Sequence, residues 1–581
     1  MVLLIFLAVL LCTGVLGAIY ERFDDLPTQD FNYIIVGGGT AGNVLANRLT
    51  EDSFVSVLLL EAGASTTDVL LSEVPFFCSR VVPGTPLDWN FTTTEQPGLK
   101  GRSVQLPRGF GLGGSSAVNG MVYTRGSSQD YDRYAYVSGD DAWGWDALQP
   151  YFRKNEHFVA PADDHNTTDQ FNPAVHGFNG INLVSLPGYP RGTDKHVIQT
   201  TTELSDEFPF NLDHNSGYQL GVGWAPTTTG NGTRSSSQTS YLAPEYIERP
   251  NLHVLIHAHV TRILQSRKEN IHGSPVFDAV EFTQDAGAPP SLKEIILSTG
   301  SIGTPHILLH SGIGDDAELA TLGIPSTLHL PDVGKNLTDH PGWSIIFSVN
   351  STETVDSVYL RNTTFQREAL AEWLASKTGY LTGGLANQIG FLRIPEDTGV
   401  LEDEPCAGNE TAHYELFFNG RFWGPVPETG NFFRILTVVL CPLSRGTVTI
   451  NSTNPLDQPL INPNYLSHPQ DVAIMQYAAA SGQKFVTAPV WDGYILDSLT
   501  STTVDDFRNG AHSLFHPVGT ASMSPAGADW GVVDPDLKLK GAKGVRIVDA
   551  SVMPFVPAGH TQASVYVIAE RAADLIKPGG I

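Results

Sequence analysis

Residues 31–42 read FNYIIVGGGTAG, an apolar run that stops at three glycines and continues over 43–49 as NVLANRL. A second apolar run, VSVLLL at 55–60, ends in Glu61, Ala62 and Gly63. Short apolar runs bounded by turn residues predict strands buried on both faces, and the segment between them has the spacing of a helix. Within this βαβ unit Gly37, Gly39 and Gly42 form G-x-G-x-x-G, with Thr40 and Ala41 between the last two. In that context Gly37 permits the tight turn, Gly39 lets a pyrophosphate approach the main chain, and Gly42 lets the helix lie against the strand. The helix start, including Thr40 and Ala41, offers unpaired N–H groups and a positive dipole end to phosphates. Glu61, nineteen residues beyond Gly42, is placed to accept hydrogen bonds from both ribose hydroxyls. Its charge would repel a 2′-phosphate, so NADP is the least favoured dinucleotide, and this unit alone leaves NAD and FAD open.

Two later segments narrow the choice. Residues 107–126 read PRGFGLGGSSAVNGMVYTRG, and residues 300–314 read GSIGTPHILLHSGIG. These resemble the two signature segments of the glucose-methanol-choline (GMC) family of FAD oxidoreductases. The C-terminal stretch VRIVDASVMPFVPAGHTQASVYVIAERAADLI, 545–576, is similar to that family's last flavin-binding segment. The resemblance spans nearly the whole chain. Stretches such as TRGSSQDYDRYA (124–135), NLHVLIHAHVTRIL (251–264) and FVTAPVWDGYI (485–495) look most like agaric pyranose dehydrogenases. FHPVGT (515–520) looks like the aryl-alcohol oxidase version of its site.

The resemblance implies FAD as cofactor and an oxidoreductase for alcohols or sugars, with a quinone or oxygen as electron acceptor. It carries Gly114, Ser115, Asn119, Gly120, Val260, Asp549, Thr561 and Gln562 over as further FAD-binding positions. It also implies an α/β plus α+β architecture. A discontinuous Rossmann-like FAD-binding domain is expected from 30–135, 230–340 and 530–581. A substrate-binding domain containing an antiparallel sheet is expected from 136–229 and 341–529, with the active site between the two. Segments 414–419, 435–440 and 447–450 read as strands of that second sheet. Three positions depart from the pattern: Phe110 replaces a basic residue, Gly120 replaces the tyrosine that stacks on aryl substrates, and Val118 replaces the histidine that pyranose dehydrogenases link to the flavin. Valine forms no such bond, so non-covalent FAD is expected.

Oxidising an alcohol removes a proton from oxygen and a hydride from the same carbon, so a base near neutrality is needed, and histidine fits. Of 18 histidines, His516 in FHPVGT and His560 in PAGHTQ match the family's catalytic pair. By resemblance His516 is the general base and His560 holds the substrate hydroxyl. His306, His310 and His340 read as buried or capping residues. His253, His257 and His259 alternate along one predicted strand, and no metal site is expected. A helix over 562–576, beginning after Thr561, is implied to direct its N-terminal dipole at the flavin, and Asp549 ends the strand before it. Phe422 and Phe515 look like the aromatics that narrow the substrate entrance in aryl-alcohol oxidases.

Composition sets the outer limits. The chain has 41% hydrophobic and 16% charged residues, which excludes a mostly disordered protein. A net charge of −27 argues against nucleic acid and anionic membranes as partners. Residues 2–16 are apolar and uncharged, shorter than the roughly 20 needed to span a bilayer, and read as a signal peptide ending at residue 17. Sequons occur at Asn90, Asn166, Asn231, Asn336, Asn350, Asn362, Asn409 and Asn451. Eight exceed the about two or three expected by chance, so a secreted protein with surface glycans is expected; a monomer is expected as well. Outside the leader three cysteines remain, and the pairing expected is Cys406 with Cys441.

Overall fold

The apolar runs on either side of the glycines become neighbouring parallel strands, Tyr33–Val36 and Val57–Leu60, with helix Thr40–Leu49 between them. The computed structural model describes residues 18–27, 30–266, 273–284, 294–421 and 424–577. The apolar leader and Phe422 lie outside them. The sheet has six parallel strands in the order Ala18–Tyr20, Leu252–Leu255, Val57–Leu60, Tyr33–Val36, Glu294–Leu297, Val545–Ile547. Ile35 stands in register with Leu59 on one side and Ile296 on the other, and all three are fully buried. Sequence-distant strands thus share one sheet because each is apolar on both faces and needs cover on both.

Helix Thr40–Leu49 packs against the C-terminal helix Gln562–Ile576. Between them the Arg48 guanidinium donates to both oxygens of Glu570, Nε to Oε2 at 2.8 Å and Nη2 to Oε1 at 2.8 Å. The Tyr241 hydroxyl adds a hydrogen bond to Glu570 at 2.6 Å. Helix Trp145–Asn155 packs on the same C-terminal helix.

The second sheet is antiparallel, in the order Ile495–Ser498, Pro341–Val349, Phe432–Val439, Tyr414–Asn419, Gln388–Leu392, Gly221–Trp224, with His512–Ser513 beside Pro341–Val349. Every residue of Tyr414–Asn419 and Phe432–Val439 is buried, because helix Pro469–Phe485 covers one face and an apolar cluster with Val122, Ala386 and Ala558 covers the other. Leu416 and Phe418 point into the helix-covered core, while Glu415, Phe417 and Asn419 take the opposite face by the two-residue alternation of a strand.

Two expectations need correction. Thr447–Thr449 does not join this sheet: it forms a separate two-stranded ribbon with Leu460–Asn462, since Pro442 and Gly446 turn the chain away after Val439. The histidines at 253, 257 and 259 do not share one strand either. The chain breaks at His257, whose φ is +57°, so His253 lies in Leu252–Leu255 and His259 in the separate strand His259–Gln265. Cys406 and Cys441 form a disulfide, with Cα atoms 5.2 Å apart, and Cys78 is a buried thiol. No described helix is long and apolar enough to cross a membrane.

Candidate active site

The glycine turn makes a cradle that side chains would fill. A Cβ on Gly42 would lie 1.9 Å from the Gly37 carbonyl oxygen, so only glycine lets the helix begin this close to the strand. Gly114, at φ +49°, brings its Cα toward Gly39, where an added Cβ would meet the Gly39 Cα at 2.7 Å. Helix Thr40–Leu49 starts with no side-chain cap at Gly39, which leaves its first N–H groups directed at this cradle. Glu61 is buried at the end of its strand and accepts from Gly38 N at 2.8 Å and Gly63 N at 2.9 Å. Burial raises its pKa while those main-chain donors oppose the rise. Each oxygen keeps lone-pair capacity for a hydroxyl donor. The Ser298 hydroxyl and the Asn43 Oδ1 are buried here without partners. An open helix end, a carboxylate with spare acceptor sites and orphaned polar atoms fit the pyrophosphate and ribose of FAD.

Further along, the Asn119 amide donates to the Gln562 side-chain oxygen. Arg234, buried with its pKa lowered by burial to about 10, donates to the Asn119 main-chain and side-chain oxygens at 2.8 and 2.9 Å. Thr561 leaves the C-terminal helix without a side-chain cap, so that helix also presents an open N-terminus. Ser115 accepts from Gly109 N at 3.3 Å. Val260 is buried in the segment whose Ala258 N donates to Glu61 O. The Asp549 carboxylate is engaged on both oxygens: Oδ2 accepts from Gly300 N and the Thr304 hydroxyl, and Oδ1 from Ser551 N and its hydroxyl.

His516 and His560 meet with ring centroids 4.9 Å apart at 76°. His560 donates from Nε2 to Glu415 Oε1 at 3.0 Å, and its main-chain N–H donates to the Thr124 hydroxyl at 2.9 Å. Glu415 is fully buried, and its other oxygen has no partner. His516 N–H donates to Asp339 Oδ1 at 2.7 Å. Its ring Nδ1 lies 3.0 Å from Nδ1 of His340, which is itself fully buried. Burial pushes the His516 imidazole well below its ordinary pKa, and His560, His340 and Arg108 act in the same direction. Phe515 holds φ +66°, a left-handed conformation that costs a bulky residue about 1–3 kcal/mol. Arg108 binds its carbonyl at 2.7 Å and Ser513 accepts its N–H at 2.7 Å, which keeps that turn in place. Phe515 packs against the apolar cluster that contains Phe91, Leu106 and Ile302.

Asp339, His340, Glu415 and Arg234 were not singled out from sequence as site residues. A signal existed for one of them: Glu415 is a lone carboxylate in the apolar strand YELFFN, where charge without a partner is costly. Gly120 opens a space that Leu385 takes, since a Cβ there would lie 2.7 Å from Leu385 Cδ1.

A nucleotide cradle together with a close pair of histidines is the arrangement expected of a flavin-dependent oxidoreductase. The profile of the GMC oxidoreductase family matches residues 31–342 and 442–569. The chain is 41% identical to dehydrogenase eriK of Hericium erinaceus over 97% of both chains. It is 38% identical to a pyranose dehydrogenase of Agaricus campestris over 96% of this chain and 95% of that one. Among solved structures, formate oxidase superposes with a TM-score of 0.85 at 28% identity, covering 94% of this chain and 98% of the other. A fungal aryl-alcohol oxidase superposes with a TM-score of 0.80 at 27% identity, covering 94% and 99%. The chain belongs to the GMC oxidoreductase family. It is an FAD enzyme acting on CH–OH donors.

Proposed function

We propose that this protein is a secreted oxidoreductase that oxidises a sugar or another alcohol and passes the electrons to a quinone or other non-oxygen acceptor. The observation that carries the reading is the His516–His560 pair, backed by Glu415 and His340. The likeness to pyranose dehydrogenases supports the substrate class. FAD, when bound, takes up the hydride at N5. His516 removes the hydroxyl proton: the O–H bond breaks, an N–H bond forms on the imidazole, and the carbon that loses hydride becomes a carbonyl. His560 orients the hydroxyl, and Glu415 holds His560 by its Nε2–H. The open N-terminus of the C-terminal helix favours negative charge near Asn119 and Gln562, by roughly 0.3–2 kcal/mol. Because the Asp549 carboxylate is fully engaged, any contact from that residue to FAD falls to its main chain.

Leu385 in place of an aromatic platform at Gly120 favours a non-aryl substrate. The second reading is an aryl-alcohol oxidase releasing an aldehyde and hydrogen peroxide, favoured by the likeness to such a structure and by FHPVGT. The roles of Phe422 and Phe515 at the entrance belong to that reading. We further infer that the FAD-binding unit is built on 30–135, 230–340 and 530–581 and the substrate unit on 136–229 and 341–529, with two changes to those bounds: strand Ala18–Tyr20 joins the FAD-binding sheet, and helix Trp145–Asn155 shares the core of the FAD-binding unit because it packs on Gln562–Ile576.

Anaerobic mixing with glucose, then with an aryl alcohol, separates the readings. Flavin bleaching by the sugar supports the first, and bleaching by the aryl alcohol alone supports the second. Cyanide release from a cyanohydrin without bleaching would instead indicate a lyase. Reoxidation of the reduced enzyme by air against a quinone decides the acceptor. His516→Ala should retain FAD and lose flavin reduction by roughly 100-fold or more; reduction at a near-normal rate would remove His516 as the base.

A further inference from the structure

The sequence NLTDHP, 336–341, contributes nothing to the FAD cradle, yet it supplies two side chains that touch His516. Asp339 is 4% exposed and accepts from four donors: His516 N–H at 2.7 Å, His340 N–H at 2.8 Å, the Ser513 hydroxyl at 2.5 Å and the Tyr465 hydroxyl. It therefore holds the main chain after the strained Phe515 directly, and the turn before it through the Ser513 hydroxyl that accepts the Phe515 N–H. His340 adds a constraint on the ring itself. Its Nε2 lies 3.0 Å from the Leu440 carbonyl oxygen, which only accepts, so that nitrogen must carry hydrogen. Burial pushes the His340 imidazole down to about 3, so it is neutral and has only that one hydrogen. Its Nδ1 is then a bare lone pair, 3.0 Å from His516 Nδ1. Two lone pairs cannot face each other at that distance, so His516 Nδ1 carries the hydrogen. A neutral His516 then has its own lone pair on Nε2, which makes no hydrogen bond among the described residues.

We propose that Asp339 and His340 form a clamp that sets the register and the tautomer of His516, holding it as the Nδ1–H form with Nε2 as the proton-accepting atom. The chain of orientation runs from the Leu440 carbonyl through His340 to His516. It places a neutral acceptor behind the base. The proton taken from the alcohol stays on His516 Nε2 and does not pass to His340, whose burial disfavours the charged form. Around this pair stand Arg108, His560, the Asp339 carboxylate and, behind His560, Glu415. His340 is a positioning residue: it acts on the substrate only through His516. The proposal rests on His516 being the base, as set out above.

Substitutions at position 340 separate orientation from packing. In His340→Asn the amide oxygen stands near the former Nδ1 and still accepts from His516. In His340→Gln it is displaced by one bond toward Leu440. His340→Leu fills the space with no acceptor. With FAD content equal to wild type, His340→Leu and His340→Gln should slow the limiting rate of anaerobic flavin reduction by about 10- to 100-fold, the size of effect that follows loss of the partner behind a metal-ligating histidine. Substrate Kd should stay within about twofold, and His340→Asn should recover most of the rate. Equal rates in the Asn and Gln variants would overturn the clamp, and this comparison of two polar variants holds even if the Leu variant loses FAD. A neutron structure of the holoenzyme gives a readout independent of turnover. It should show hydrogen on His516 Nδ1 and His340 Nε2; hydrogen on His516 Nε2 in the neutral ring would overturn the proposal. If His516→Ala reduces flavin normally, the base assignment fails. If that variant is inactive while His340→Leu is fast, only the clamp fails.

Discussion

His516 combines two properties that pull in opposite directions. As the proposed base it must accept a proton, yet burial and the neighbouring His560, His340 and Arg108 disfavour its charged form. The sign is clear: a depressed pKa keeps the imidazole neutral to lower pH than the ordinary value of about 6.5. The acid limb of the limiting flavin-reduction rate is therefore expected below pH 6.5, and a limb centred at 7 or above would contradict it. Val118 yields a second prediction at this scale. It is 4% exposed among Val81, Leu87 and Ala117 and offers no atom for a flavin bond. Acid precipitation should release all FAD to the supernatant, and yellow colour retained in the pellet would refute this.

The helices Thr40–Leu49 and Gln562–Ile576 come from opposite ends of the chain and are joined by Arg48 and Glu570, the latter with no exposed surface. Removing one partner of such a pair strands a charge in the interior, which costs about 3–5 kcal/mol. Glu570→Ala should thus lower the thermal midpoint sharply at matched FAD saturation. The double variant Arg48→Met with Glu570→Met should be more stable than either single replacement, because neither buried charge is left facing an apolar side chain, while Glu51 and Lys154 keep Lys577 and Asp574 as partners. An additive loss would show that the pair is not coupled. The strand Tyr414–Asn419 illustrates the same dependence on context. Its alternation sends Leu416 and Phe418 to one core and Glu415 and Phe417 toward His560, so one strand serves packing and chemistry at once.

Across the molecule, seven of the sequon asparagines are exposed, at 90, 166, 231, 350, 362, 409 and 451. Asn336 differs: its amide donates to the Ser522 hydroxyl and the Pro554 carbonyl, both at 3.0 Å. A glycan on that nitrogen would displace a hydrogen bond in a partly buried turn. If the chain is secreted as proposed, peptide mapping should find glycans among the seven exposed sites and none at Asn336. Modification of Asn336 would show that this turn opens before folding is complete. The acidic surface implied by a charge of −27 is compatible with a neutral substrate and a soluble coat.

Local pattern was enough for much of this. G-x-G-x-x-G between two apolar runs, the end of the second run at Glu61 and the helix at 562–576 could all be read from the chain, because turn chemistry and side-chain periodicity are properties of neighbouring residues. The histidine pair could be found only by its likeness to family motifs, since nothing in spacing separates His516 and His560 from the other histidines. The groups behind the pair were not legible. Asp339 and His340 reach His516 across more than 170 residues, and Glu415 reaches His560 across 145. Those contacts exist because the antiparallel sheet lays its strands against the loop holding the base. Which carboxylate or imidazole ends there is set by strand register. Sequence by itself determined the nucleotide fold and nominated the proposed base, whereas tertiary structure alone decided which groups stand against His516, because that depends on which donor and acceptor atoms the packing brings to about 3 Å.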